Sequence, residues 1–150
     1  MDYDFSRLST RSFEQLTQAI ALAAIGPGVC IFGDGPDGAR EATFEGRVAY
    51  PSSAEPWIGY GVIQAKFRQK PGLKDAEWAI SELKKDLDKF LDKDRKLKKP
   101  EFYIFATNVT LTPVAESGGK DRISKILKEY CDKIGINDFR IWDRDQMCAF

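Results

Sequence analysis

The chain has 150 residues, with 23 Lys and Arg balancing 23 Asp and Glu, 43% hydrophobic and 31% charged residues, and no histidine. That length allows one domain with a real core, and the balanced charge excludes an overall basic field, so any nucleic-acid contact falls to a local patch. The lack of imidazole removes Ser-His-Asp and Cys-His catalysis, histidine-metal nuclease chemistry and phosphohistidine transfer, leaving carboxylate, lysine and metal chemistry or none.

In chain order, the first helix is expected from Ser12 to about Ala24, with Ser12 and Gln15 as a capping box. Phe13, Leu16, Ile20, Ala23 and Ala24 recur at helical spacing as its buried stripe, and Gly26-Pro27-Gly28 stops it. Val29 to Phe32 reads as a short buried strand, followed by a glycine-rich loop from Gly33 to Gly38. A second strand, Arg40 to Phe44, sets Glu41 and Thr43 on one face and Ala42 and Phe44 on the other. Tyr50 to Pro56 reads as a polar connection, and Trp57 to Arg68 carries the third strand.

A long helix starts near Lys74, with Ala76, Ile80, Leu83, Leu87, Phe90 and Leu91 forming one apolar face. Phe102 to Ala106 is a strand and Thr107 to Lys120 a loop. Asp121 is expected to cap a third helix facing inward through Ile123, Ile126, Leu127, Tyr130 and Ile134, and Phe139 to Trp142 is a last strand. The order α-β-β-β-α-β-α-β predicts an α/β protein in which an antiparallel meander is extended by helix crossovers into a mixed sheet with helices on both faces.

Cys30, Cys131 and Cys148 are far apart, form no CxxC pair and sit among apolar residues, so they read as buried reduced thiols in a cytoplasmic chain without a zinc site. No stretch is apolar enough to span a bilayer, and Met1 to Phe5 lacks the pattern of a signal peptide.

Gln64-Ala65-Lys66 lies near the end of the apolar run from Tyr60 to Phe67, after the acidic, glycine-rich segment Gly33 to Gly46. Strand alternation points Gln64 and Lys66 one way and Ile63, Ala65 and Phe67 the other. A lysine beside a polar group, next to a strand that begins with a carboxylate, suits a divalent metal and a water activated against a phosphodiester. Taken alone, Glu14 reads as a solvated helix carboxylate, and Asp37 as the turn residue of Pro36-Asp37-Gly38. Arg40 either contacts a phosphate or pairs with a neighbouring acid.

Lysines 84, 85, 89, 93, 96, 98 and 99 with Arg95 form a basic series, in which Asp86, Asp88, Asp92 and Asp94 alternate as on a solvated face. Only the cluster from Arg95 to Lys99 is a candidate for backbone phosphate. Ser117-Gly118-Gly119-Lys120 lacks Walker spacing and reads as a flexible loop.

Glu14 on the first helix, Asp37 and Glu41 about the second strand, and Gln64 and Lys66 on the third together resemble the PD-(D/E)xK nuclease superfamily. Within it they resemble the Mrr-like restriction endonucleases, which carry glutamine in place of the usual acid before x-Lys. The matching segments are Phe13-Glu14-Gln15-Leu16, Gly33 to Gly46, and Val62-Ile63-Gln64-Ala65-Lys66. The resemblance implies a restriction-endonuclease-like fold and a Mg2+-dependent endonuclease, with Mn2+ able to substitute, acting on double-stranded DNA with little sequence specificity.

By that resemblance Glu14 matches the helix acid that completes the metal site, Glu41 the first strand acid, Gln64 the second strand acid's place and Lys66 the lysine. Glu41, Gln64, Asp37 and Glu14 are thus the metal-ligand candidates. The family pattern has aspartate where this chain has Glu41, and Asp37 competes for that role.

Ile141 to Phe150 ends on apolar residues without a polar tail or helix cap, as if another element began there. The arrangement is similar to the N-terminal effector nucleases of bacterial antiviral STAND NTPases. That similarity implies that residues 1–150 are a single nuclease domain excised from a larger protein, with NTPase and sensor domains downstream. It also implies a homo-oligomer on activation and no membrane partner. Two rival expectations are a modification-dependent restriction nuclease and a nuclease-fold module that has lost catalysis and only binds DNA or mediates assembly.

Overall fold

The computed structural model describes residues 5–34, 40–94, 97–112 and 118–150, and of positions 6, 30–34, 40 and 41 it describes the backbone alone. Helix α1 spans Thr10–Ala24. It starts before the expected Ser12, because the Ser9 hydroxyl is the cap and accepts from the Ser12 N–H at 3.2 Å. Its buried stripe is Phe13, Glu14, Thr17, Ile20 and Ala21, so Ala23 and Ala24 fall outside the face that docks. Glu14 is 5% exposed, which overturns its reading as a solvated carboxylate.

Three strands follow: β1 (Cys30–Asp34), β2 (Arg40–Pro51) and β3 (Pro56–Lys66). β2 is longer than the expected Arg40 to Phe44. Gly46, at φ 95°, pairs with Gly59, at φ 147°, so the ladder bends there and continues through Arg47–Ile58 and Val48–Trp57. Helix α2 spans Asp75–Leu91, β4 Phe102–Thr107, α3 Gly119–Ile134 and β5 Asp138–Trp142. Gly118, not Asp121, is the N-cap of α3, and Asp121 lies in its first turn. Another element does begin in Ile141 to Phe150, the short helix α4, Arg144–Ala149, but it has the cap that was not expected. Asp143 caps it, with its side chain accepting from the Gln146 N–H.

The five strands form one sheet in the order β1-β2-β3-β4-β5. β1, β2 and β3 pair antiparallel, whereas β3–β4 and β4–β5 are parallel. Parallel neighbours need a crossover, and two right-handed crossovers moving the same way across a sheet put their helices on one face. The packing agrees. Leu83 and Leu87 of α2 and Ile123 and Leu127 of α3 share a core with Val62, Tyr103 and Phe105. The other face meets α1 and α4, where Phe13, Ile20, Ala21 and Met147 pack with Phe44, Ile63, Ile104 and Ala106. β4 is buried along its whole length, as expected of a strand covered on both sides. The protein is therefore α/β with a mixed sheet flanked by helices, in the element order read from the sequence.

Cys131 and Cys148 are free and half-buried rather than buried, and the Cys30 side chain lies outside the described residues. Among the described residues no helix is long and apolar enough to cross a membrane.

Candidate functional site

The alternation along β3 assigns its two faces. Ile63, Ala65 and Phe67 join the core under α1, and the Phe13 and Phe67 rings meet edge to face at 5.7 Å. Gln64 and Lys66 belong to the face under α2, where Gln64 is buried at 3% exposure. Beyond Lys66 the strand is pinned by a side chain. The Asn108 amide accepts from the Arg68 N–H at 2.7 Å and donates to the Arg68 carbonyl at 2.8 Å, taking the place of a ladder partner. The backbone that carries Lys66 is thus fixed on both sides.

Glu41 is the ladder partner of Gln64. Directly paired positions of an antiparallel ladder belong to one face, so position 41 shares the face of Gln64 and Lys66. The Glu41 side chain, the Arg40 side chain and all of Asp37 lie outside the described residues. Glu14 is not brought to this face. Its helix carries Phe13 against Phe67 and packs on the opposite side of the sheet.

A cleft of about 430 Å3 opens beside Lys66, lined otherwise by Glu82, Lys85, Asp86, Asp88, Lys89 and Asp92 of α2 and its C-cap. The Lys66 ammonium lies 2.8 Å from Asp86 Oδ2, and the Lys89 ammonium 3.4 Å from Asp86 Oδ1. The Asp86 side chain is 1% exposed and that of Lys66 23%. The basic series thus departs from a simple solvated face at Asp86, while Asp88, Asp92 and Asp94 are exposed as expected. Sequence reasoning missed Asp86 because lysines and acids alternate around it. Its helical spacing held the signal, since it falls with Ala79, Leu83, Leu87 and Phe90 on the buried stripe of α2. Lys98, in the cluster considered for phosphate, pairs with Glu45 at 3.1 Å and lies 4.2 Å from the Tyr60 ring centre. Arg95 and Lys96 of that cluster, and Ser117 of the Ser-Gly-Gly-Lys segment, lie outside the described residues.

Chemically, the face offers an amide oxygen donor at Gln64, an ammonium at Lys66 and a buried carboxylate at Asp86. Among the described residues, no three of His, Cys, Asp and Glu gather closely enough to hold a metal by themselves. No family model matches this chain, and neither does any curated protein or solved structure.

Proposed function

We propose that this chain is a Mg2+-dependent DNA endonuclease domain of the Mrr-like type, hydrolysing phosphodiester bonds of double-stranded DNA with little sequence preference. The observation that carries the reading is the register of β2 on β3. It sets position 41 across from Gln64, two residues from Lys66, on the face that opens into the cleft. The α-β-β-β-α-β-α-β order supports it as well. The remaining support is the likeness of the Glu41, Gln64 and Lys66 pattern to PD-(D/E)xK nucleases.

The donor chemistry fits Mg2+, which takes hard oxygen ligands and keeps several waters, so that one or two carboxylates suffice. In this reading Glu41 and the Gln64 carbonyl oxygen would hold the ion, with Asp37 as the second carboxylate; Mn2+ would bind the same donors. Glu14 enters the ligand set by resemblance alone, since its helix covers the other face. A bound Mg2+ supplies Lewis-acid polarisation of the phosphoryl oxygen and lowers the pKa of a coordinated water. Lys66 acts from the protein side. Its ammonium orients the attacking water or offsets the charge that builds on phosphorus. We further propose that the domain serves as the effector of a cytoplasmic antiphage NTPase and works as a homo-oligomer.

A second reading, a nuclease-fold module without catalysis, draws on the neutral Gln64 and on the ion pair that engages the Lys66 amine. Lys66→Ala separates the two. A catalytic lysine predicts that nicking of supercoiled plasmid in Mg2+ falls by about 100-fold or more, the scale of losing one stabilising donor. Far-ultraviolet circular dichroism should stay unchanged, because Lys89 still faces Asp86. Wild-type protein that never cuts plasmid with Mg2+ or Mn2+, even when forced to oligomerise, establishes the second reading instead.

A further inference from the structure

We propose that Asp86 is a positioning residue that holds the Lys66 ammonium at the mouth of the cleft for phosphodiester cleavage. The assignment rests on the nuclease reading above and extends it to a residue that the QxK pattern does not contain.

The pair is asymmetric. Asp86 sits on the buried stripe of α2, and its side chain is 1% exposed, while Lys66 is 23% exposed and lines the open cleft. The carboxylate is thus the more buried member, on the stripe of α2 that also carries Leu83 and Leu87, although both partners line the cleft. The lysine is the member that a substrate meets. A lysine ammonium is a compact charge on a flexible four-carbon stem, and without an anchor it samples many rotamers. The ion pair with Asp86 Oδ2 at 2.8 Å, which is a charge contact without hydrogen-bond geometry, favours one of them. Lys89, on the same helix, meets the other carboxylate oxygen, so Asp86 keeps a counter-charge when Lys66 turns toward a phosphate.

Stability alone is a poor reason for this arrangement. A buried ion pair generally adds little over apolar residues of the same volume, and the other buried positions of α2, Ala79, Leu83, Leu87 and Phe90, are apolar. Position also argues against a solubilising role, since a side chain at 1% exposure presents nothing to water.

The test uses the 150-residue chain and two variants, Asp86→Asn and Asp86→Glu, with three readouts: plasmid-nicking kcat and KM in Mg2+, affinity for a labelled duplex in Ca2+, and the low-temperature 1H–15N spectrum of lysine ammonium groups, with Lys66 assigned by its loss in Lys66→Ala. Positioning predicts that Asp86→Asn lowers kcat by about 10- to 100-fold. Duplex affinity stays within about twofold, since Lys66 keeps its charge, and the Lys66 ammonium resonance broadens or disappears.

Asp86→Glu keeps the charge and adds one methylene at a buried site. It shifts that resonance and recovers part of the lost kcat. If Asp86→Asn does not fold, Asp86→Glu alone decides, and an unmoved Lys66 resonance in it overturns the assignment. Wild-type kcat in folded Asp86→Asn overturns the assignment and leaves the nuclease reading standing. An equal fall of kcat and of melting temperature in both variants, with the resonance unmoved, also overturns it. A wild-type chain that never cuts defeats the nuclease reading itself and with it any role of Asp86 in cleavage.

Discussion

A carboxylate withdrawn from water is tolerated in a fold only when charge or hydrogen bonds compensate it. Asp86 meets that condition through two lysines, and Asp143, 0% exposed, meets it through backbone. The Asp143 side chain accepts from the Leu111 N–H at 3.1 Å and from the Gln146 N–H at 2.9 Å, tying β5 and α4 to the segment after β4. An exposed acid, Asp88, accepts from the Tyr130 hydroxyl and links α2 to α3. Burial first, and the bond to Asp88 next, push the Tyr130 phenol from its ordinary 10.0 up to about 12. The neutral phenol is the form that donates, so its contribution to stability is present in full below pH 10 and lost as pH rises toward 12. The difference in urea midpoint between wild type and Tyr130→Phe should therefore be constant up to pH 10 and shrink above it. A difference that grows with pH in that window would show that the phenolate, not the phenol, is favoured in the fold.

At the scale of elements, β3 was the most legible part of the sequence and β2 the least. Alternation alone separated Gln64 and Lys66 from Ile63, Ala65 and Phe67, because a half-buried strand must divide its side chains that way. The second half of β2 escaped notice because Gly46 reads as a break, whereas its pairing with Gly59 turns the strand without ending it. Asp86 escaped for a related reason, since the local charge pattern hid a helical spacing that only packing against β3 and α3 makes visible. Pattern alone read Asp37 as a turn residue and set Glu41 on one face with Thr43, while their metal-ligand roles came only through likeness to the nuclease family. Gly61 records how tightly β2 and β3 are matched. It pairs with Phe44, whose ring occupies the space that a Cβ at Gly61 would take. That ring in turn stacks on Trp57 at 6.0 Å, and Trp57 on Phe102 at 4.9 Å. Gly61→Ala should then destabilise the protein by about 1–3 kcal/mol, as overpacking of a filled core does. Thermal or urea unfolding measures it, and a variant as stable as wild type would mean that the Phe44 ring moves aside freely.

For the whole molecule the deciding quantity is charge. The chain is neutral overall, and the cleft sets Lys66, Lys85 and Lys89 against Glu82, Asp86, Asp88 and Asp92. DNA affinity grows with the number of phosphates that cations neutralise, so one copy has little with which to hold a duplex. Several copies joined together convert later contacts into intramolecular ones and raise avidity by roughly 100-fold or more without any new contact. If this domain cuts DNA as proposed, its activity should depend on assembly more than on any substitution outside the cleft. Fusing the chain to a tetrameric coiled coil should raise plasmid cutting by at least about tenfold at equal protomer concentration, a conservative share of that avidity. The same fusion carrying Lys66→Ala should bind plasmid as tightly as the wild-type fusion within about threefold, because each protomer loses one of several cations, yet leave it uncut. A monomer that cuts as fast as the fusion would remove assembly from the proposal, and a mutant fusion that still cuts would remove Lys66 from it.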